Sequence, residues 1–139
     1  MKRRKGREYA LQFLFQSDFT GKSPDQKDLD AFWSEQNADE ETRRFSEDII
    51  LGTIGHLSAI DAAIQKVAEH WVLQRMAAVD RNILRYATYE LLFRGDIPSA
   101  VTINEAIEIA KRYSTTESAS FINGILDKIA KGLKNKRVR

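Results

Sequence analysis

The stretch VDRNILRYATYELLF, residues 79–93, decides the class of this fold. Val79, Ile83, Ala87 and Leu91 recur every fourth residue, with Leu84 and Tyr86 beside them, which predicts a helix from Ala77 to Phe93 with a wide apolar face. Gly95, Asp96, Ile97 and Pro98 end it. A strand would need alternation by two, and no segment of the chain gives a convincing one. Outside this stretch, two prolines, seven glycines and long runs of Ala, Leu, Ile, Glu and Lys point the same way, so the chain is expected to be all-α.

Working outward, the periodicity predicts a first helix from about Gly6 to Phe19, stopping near Gly21 and Pro24. Tyr9, Ala10, Leu11, Phe13, Leu14 and Phe15 make it apolar nearly all round, more than one buried stripe requires, so part of it meets a second helical layer or another molecule. Leu29, Phe32 and Trp33 mark a short second helix. One long helix is expected from about Glu40 to Glu69, with Gly52, Gly55 and Ser58 as points where it could divide. His70 to Met76 reads as a turn with a short helical piece. Two capping boxes, Thr102 with Glu105 and Ser114 with Glu117, predict the starts of the last two helices. The final helix carries Phe121, Ile122, Ile125, Leu126, Ile129 and Leu133. Seven helices result, one very short. Short loops between them favour antiparallel neighbours around one core. At 139 residues one domain is expected, which buries roughly two-thirds of the surface its unfolded chain exposes.

Charge is segregated. Eleven of the 22 cations lie at the ends: Lys2, Arg3, Arg4, Lys5 and Arg7, then Lys128, Lys131, Lys134, Lys136, Arg137 and Arg139. The other eleven face all 20 acids, which leaves residues 8–127 at −9 and the ends at +11. Like charges crowded together repel, and a polyanion such as nucleic acid relieves them. Solvated tails are the plainer alternative. Residues 25–48 hold nine acids against Lys27, Arg43 and Arg44 and should face away from nucleic acid.

Catalysis finds little to work with. The chain has no cysteine and two histidines, so disulfides, thiolate metal sites and a cysteine nucleophile are excluded, and His56 and His70 form no metal-binding pattern. Glu105 and Glu108 share a helix face, but Lys111 and Arg112 follow them, and a salt-bridged surface explains the group. No glycine-rich phosphate loop is present, and no cofactor or metal is implied. The opening residues are too polar for a signal peptide or membrane span, so a cytoplasmic location is expected. Cations interleaved with Tyr9, Phe15 and Phe121 suit a single-stranded nucleic acid, whose bases stack on rings for about 1–3 kcal/mol each.

Four stretches carry a further resemblance. KGREYALQ at 5–12, VDRNILRYATYEL at 79–91, INEAIEIAKRY at 103–113 and FINGILDKIA at 121–130 are, in that order and spacing, similar to the NusB family of bacterial transcription antitermination factors along nearly the full chain. The resemblance implies two packed helical bundles in one domain, an N-terminal part of about 1–70 and a C-terminal part of about 71–139. It implies a non-catalytic protein that binds the boxA RNA of ribosomal RNA leaders together with ribosomal protein NusE, and joins RNA polymerase with other Nus factors. Carried over by position, it implies RNA contacts at Lys2, Arg3, Arg4, Lys5, Arg7, Phe15, Glu117 and Phe121, and a NusE contact at Asp80. Phe15 stands where the family often has tyrosine, and Glu117 where an aspartate is familiar. The alternative from a different class is a protein-only helical adaptor or homodimerisation module, with incidental basic tails and the surplus apolar surface of the first helix as its interface. As an RNA binder the chain is expected to be a monomer or a homodimer.

Overall fold

The computed structural model describes the backbone of residues 2–137 and the side chains of residues 2–133. Seven α-helices occur among the described residues: α1 (Lys2–Thr20), α2 (Gln26–Ser34), α3 (Glu40–Gly55), α4 (Leu57–Val67), α5 (Ala78–Phe93), α6 (Ser99–Tyr113) and α7 (Thr116–Arg137). A single 3-10 turn, Leu73–Arg75, lies between α4 and α5. No strand occurs among the described residues. The N-terminal part packs α1 on α3 and α5, and the C-terminal part packs α6 on α7, with both against α5. Every residue of α5 from Asn82 to Leu91 is buried, so the helix that looked merely amphipathic in sequence is the axis of the molecule.

Most of the surplus apolar surface of α1 is absorbed within the chain, while Phe15 stays half-buried and Phe19 is exposed. Tyr9 meets Trp33 edge-on at 5.4 Å and Phe13 meets Phe32 at 5.4 Å, which seats α2 on one flank of α1 while α3 and α5 cover others. Asp25 caps α2 by accepting from the Asp28 amide, and Asp28 returns the bond to the Asp25 amide. Asp39 caps α3 through the Thr42 amide.

Four expectations need correcting. The first helix starts at Lys2, so the cationic run is part of the helix and not an arm before it. The long helix is two helices, broken at His56, whose amide still bonds back to Gly52. Thr102 caps nothing: α6 begins three residues earlier, after Pro98, and the Thr102 hydroxyl, buried in the core, donates to Glu90. Ser114 does not cap α7 either. Thr115 does that, accepting from the Ser118 amide at 3.0 Å, while Ser114 turns inward to Asp80.

Candidate nucleic-acid interface

The first turns of α1 bring Lys2, Arg3, Arg4, Lys5 and Arg7 together, with no acid in the opening turn. The helix dipole opposes such an arrangement, because its N-terminal end is itself positive. Carboxylates from other helices hold it in place. Lys2 Nζ lies 2.9 Å from Glu41 and 3.3 Å from Asp39. Arg4 Nε donates to Glu105 at 3.0 Å. Arg7 is 1% exposed and donates from Nε and Nη2 to both oxygens of Glu90, at 2.7 and 2.8 Å. Burial pulls the Arg7 guanidinium down, but Glu90 outweighs it and the net shift is upward. The Arg4 hydrogen bond holds Glu105 below the usual carboxylate range against the opposing effect of burial.

These contacts divide the cations. Arg7 is an internal residue that no surface ligand reaches, and Arg4 is half committed to Glu105. Lys2, Arg3 and Lys5 remain exposed, with Arg3 over the Phe45 ring at 4.9 Å and Lys5 over Tyr9 at 5.1 Å.

Two clefts flank the start of α5. Val79 lines the first, of 250 Å³, with Lys5, Glu8, Tyr9, Phe15 and Tyr113. Its neighbour Asp80 lines the second, of 660 Å³, with Trp71, Arg75, Glu117 and Phe121. Trp71 and Phe121 meet near edge-on at 5.2 Å, and Phe15 meets Phe19 at 5.0 Å. Phe15 and Phe121 are half-buried, whereas Trp71 and Tyr113 are 57% and 45% exposed. Adjacent residues of one helix therefore join two ring-bearing hollows, one beside the cationic end of α1 and one beside Arg75.

Asp80 is 8% exposed and accepts 2.7 Å hydrogen bonds from the hydroxyls of Ser114 and Ser118. It pins the turn between α6 and α7 to the first turn of α5, and so fixes where Glu117 and Phe121 stand. α1 packs on α3 and α5, α7 on α4, α5 and α6, and Lys128 and Lys131 lie about two and three turns along α7 from Phe121. The side chains of Lys134, Lys136, Arg137 and Arg139 lie outside the described residues. Sequence reasoning missed Trp71, Arg75 and Tyr113. No local signal in the sequence marks either ring as exposed.

The molecule is thus an all-α, two-bundle protein with two ring-lined hollows edged with cations, and no group of three potential metal ligands occurs among the described residues. The chain belongs to the NusB family, whose model matches residues 4–131. It is 51% identical over 142 residues to the transcription antitermination protein NusB of Thermodesulfovibrio yellowstonii, covering 94% of this chain and 93% of that one. Among solved structures, T. maritima NusB superposes with a TM-score of 0.84 at 46% identity, covering 93% of this chain and 90% of that one. A structure described as antitermination factors NusB and NusE in complex with dsRNA has a TM-score of 0.85 at 23% identity, covering 94% and 97%, and shares the fold. Antitermination, the role that relative's name prints, is not a catalytic one. No helix among the described residues is long and apolar enough to cross a membrane.

Proposed function

We propose that the chain is a transcription antitermination factor that binds single-stranded boxA RNA of ribosomal RNA leaders jointly with ribosomal protein NusE, and so promotes processive ribosomal RNA synthesis within a polymerase complex of Nus factors. The observation that carries this reading is the pair of ring-lined clefts joined at Val79 and Asp80. Phosphates follow Lys2, Arg3, Lys5 and Arg75, while bases stack on Phe15, Tyr113, Trp71 and Phe121. Glu117, exposed at the start of α7, faces base edges as an acceptor. Arg4 and Arg7 serve by holding the cationic turn rather than by touching RNA. The NusE surface lies around the start of α5, where Asp80 sets the local geometry. A NusB structure that also holds NusE and RNA supports the partnership by family likeness.

Titration of boxA-like and scrambled RNA, each with and without NusE, tests the proposal. Tighter binding of the boxA sequence, increased by NusE, is expected; equal binding of both sequences under every condition rejects it. Phe121→Ala is expected to weaken binding at all salt concentrations with the fold intact by circular dichroism.

A further inference from the structure

The segment joining α4 to α5 supplies Trp71 and Arg75 to the larger hollow, and side chains from outside it hold its backbone. Its own bonds are short-range: the amides of Trp71, Arg75 and Met76 reach the carbonyls of Ala68, Val72 and Leu73 at 3.1, 2.9 and 3.2 Å. Gln65, near the end of α4, commits its whole amide to the segment. Nε2 donates to the carbonyls of Ala68, at 3.1 Å, and Trp71, while Oε1 accepts from the Leu73 amide at 3.0 Å. Arg81, in the first turn of α5, aims Nη1 at the carbonyls of Met76, Gln74 and Leu73, at 2.9, 3.2 and 3.3 Å. Its Nε and Nη2 donate to Asp18 Oδ2 at 2.9 and 2.7 Å, and Asn82 donates to the same oxygen at 3.0 Å.

Closing α4 does not require so much. A glutamine that served only the helix end would stop at Ala68, but Gln65 also bonds Trp71 and Leu73, six and eight residues on. Core packing holds the segment at Leu73, which is 1% exposed, whereas Trp71 and Val72 stand outward and Arg75 is exposed. Side chains that point outward from an irregular segment are placed by the path of its backbone. Fixing that path beforehand removes an ordering cost from binding. Resting on the function proposed above, we infer that Gln65 and Arg81 are positioning residues for RNA: they touch none of it, but hold Trp71 and Arg75 so that a base and its phosphate meet a preformed wall. Asp18 is the anchor of Arg81. It lies about one turn beyond Phe15 on α1, so the same guanidinium also fixes the spacing between the two hollows.

The test uses the full chain labelled with fluorotryptophan, whose fluorine NMR spectrum separates Trp71, assigned through Trp71→Ala, from the buried Trp33. Gln65→Glu changes an exposed side chain and turns acceptors toward the carbonyls of Ala68 and Trp71. Arg81→Lys keeps a cation beside Asp18, but one ammonium cannot span that carboxylate and three carbonyls. Each is expected to displace or broaden the Trp71 signal, to leave that of Trp33 unchanged, and to lower affinity for boxA-like single-stranded RNA about ten-fold. In a chain that already carries Trp71→Ala and Arg75→Ala, the same substitutions are expected to cost about two-fold or less, because they act through those two side chains. A displaced Trp71 signal with undiminished affinity overturns the positioning role, and so does a ten-fold loss that persists without Trp71 and Arg75. Should Arg81→Lys also move the Trp33 signal, and so disturb the fold, Gln65→Glu decides by the same outcomes. Absence of single-stranded RNA binding by the unaltered chain rejects the function itself, whereas the other outcomes are read only in the variants and leave it standing.

Discussion

A guanidinium as enclosed as that of Arg7 stays charged because Glu90 takes two of its N–H groups, and Thr102 adds a hydroxyl donor to the same carboxylate. Removing one partner strands the other in a medium that solvates charge poorly. Arg7→Met or Glu90→Gln alone is therefore expected to lower unfolding free energy by about 3–5 kcal/mol, whereas the double variant recovers most of the loss. Urea denaturation of the three variants checks this, and equal destabilisation by the double variant would show that the pair contributes more than mutual compensation. Such a role was hidden in the sequence, where Arg7 is one cation among five. Spacing on a helix gives an azimuth, but burial depends on which helix arrives at that azimuth, and Glu90 lies 83 residues away. Lys2, Arg3, Lys5, Phe15, Glu117 and Phe121 were legible as site candidates through the family likeness. Trp71 and Tyr113 were not, because nothing local distinguishes a ring left exposed from a ring at the edge of a core.

At the scale of elements, the contact between α3 and α5 is set by a missing side chain. A methyl group added at Gly52 would overlap the Tyr89 ring, which is tied to Asp48 through its hydroxyl at 3.3 Å and lies near-parallel to Phe93 at 5.6 Å. Gly52→Ala gains about 1 kcal/mol of helix propensity but forces two packed helices apart, and a net loss of about 1–3 kcal/mol is expected. The midpoint of urea unfolding reports it, and Tyr89→Ala in the same chain should relieve the clash. Helix number and type were largely readable from periodicity, since apolar spacing survives tertiary packing. The errors fell at helix ends. Thr102 and Ser114 match the capping pattern, but each hydroxyl is drawn instead to a buried carboxylate, Glu90 or Asp80, because an unmet charge inside outweighs an exposed backbone amide. The break at His56 lies between two runs that are each helical in pattern, so no change of period announces it.

Across the whole molecule, arginine–carboxylate pairs within the body and between it and the cationic turn of α1 stabilise the fold, and acid should reveal it. Arg94 hydrogen bonds bring Asp96 down to about 2, and Glu105 lies below its ordinary range through Arg4. Burial raises Asp18, but hydrogen bonds from Arg81 and Asn82 outweigh that and hold it low. A carboxyl whose folded pKa is depressed adds stability that is complete above its unfolded pKa and is lost as pH falls through the folded one. Melting temperature is thus expected to be level from neutrality to about pH 5 and to fall below it. Glu105→Gln should melt lower at pH 7 and show a flatter acid limb; an unchanged acid limb would mean that the Arg4 pair contributes nothing to the linkage. Salt tests the other side of the same charge distribution. Each phosphate contact on a single strand adds about −0.7 to the slope of log affinity against log salt, so a cation matters to the slope only if it faces RNA. Lys5→Ala and Arg3→Ala are each expected to flatten the slope by about that amount. Arg4→Ala, whose guanidinium is engaged by Glu105, is expected to flatten it much less while lowering thermal stability. Filter binding across a salt series separates the two groups, and an Arg4→Ala slope change as large as that of Lys5→Ala would place Arg4 among the phosphate contacts.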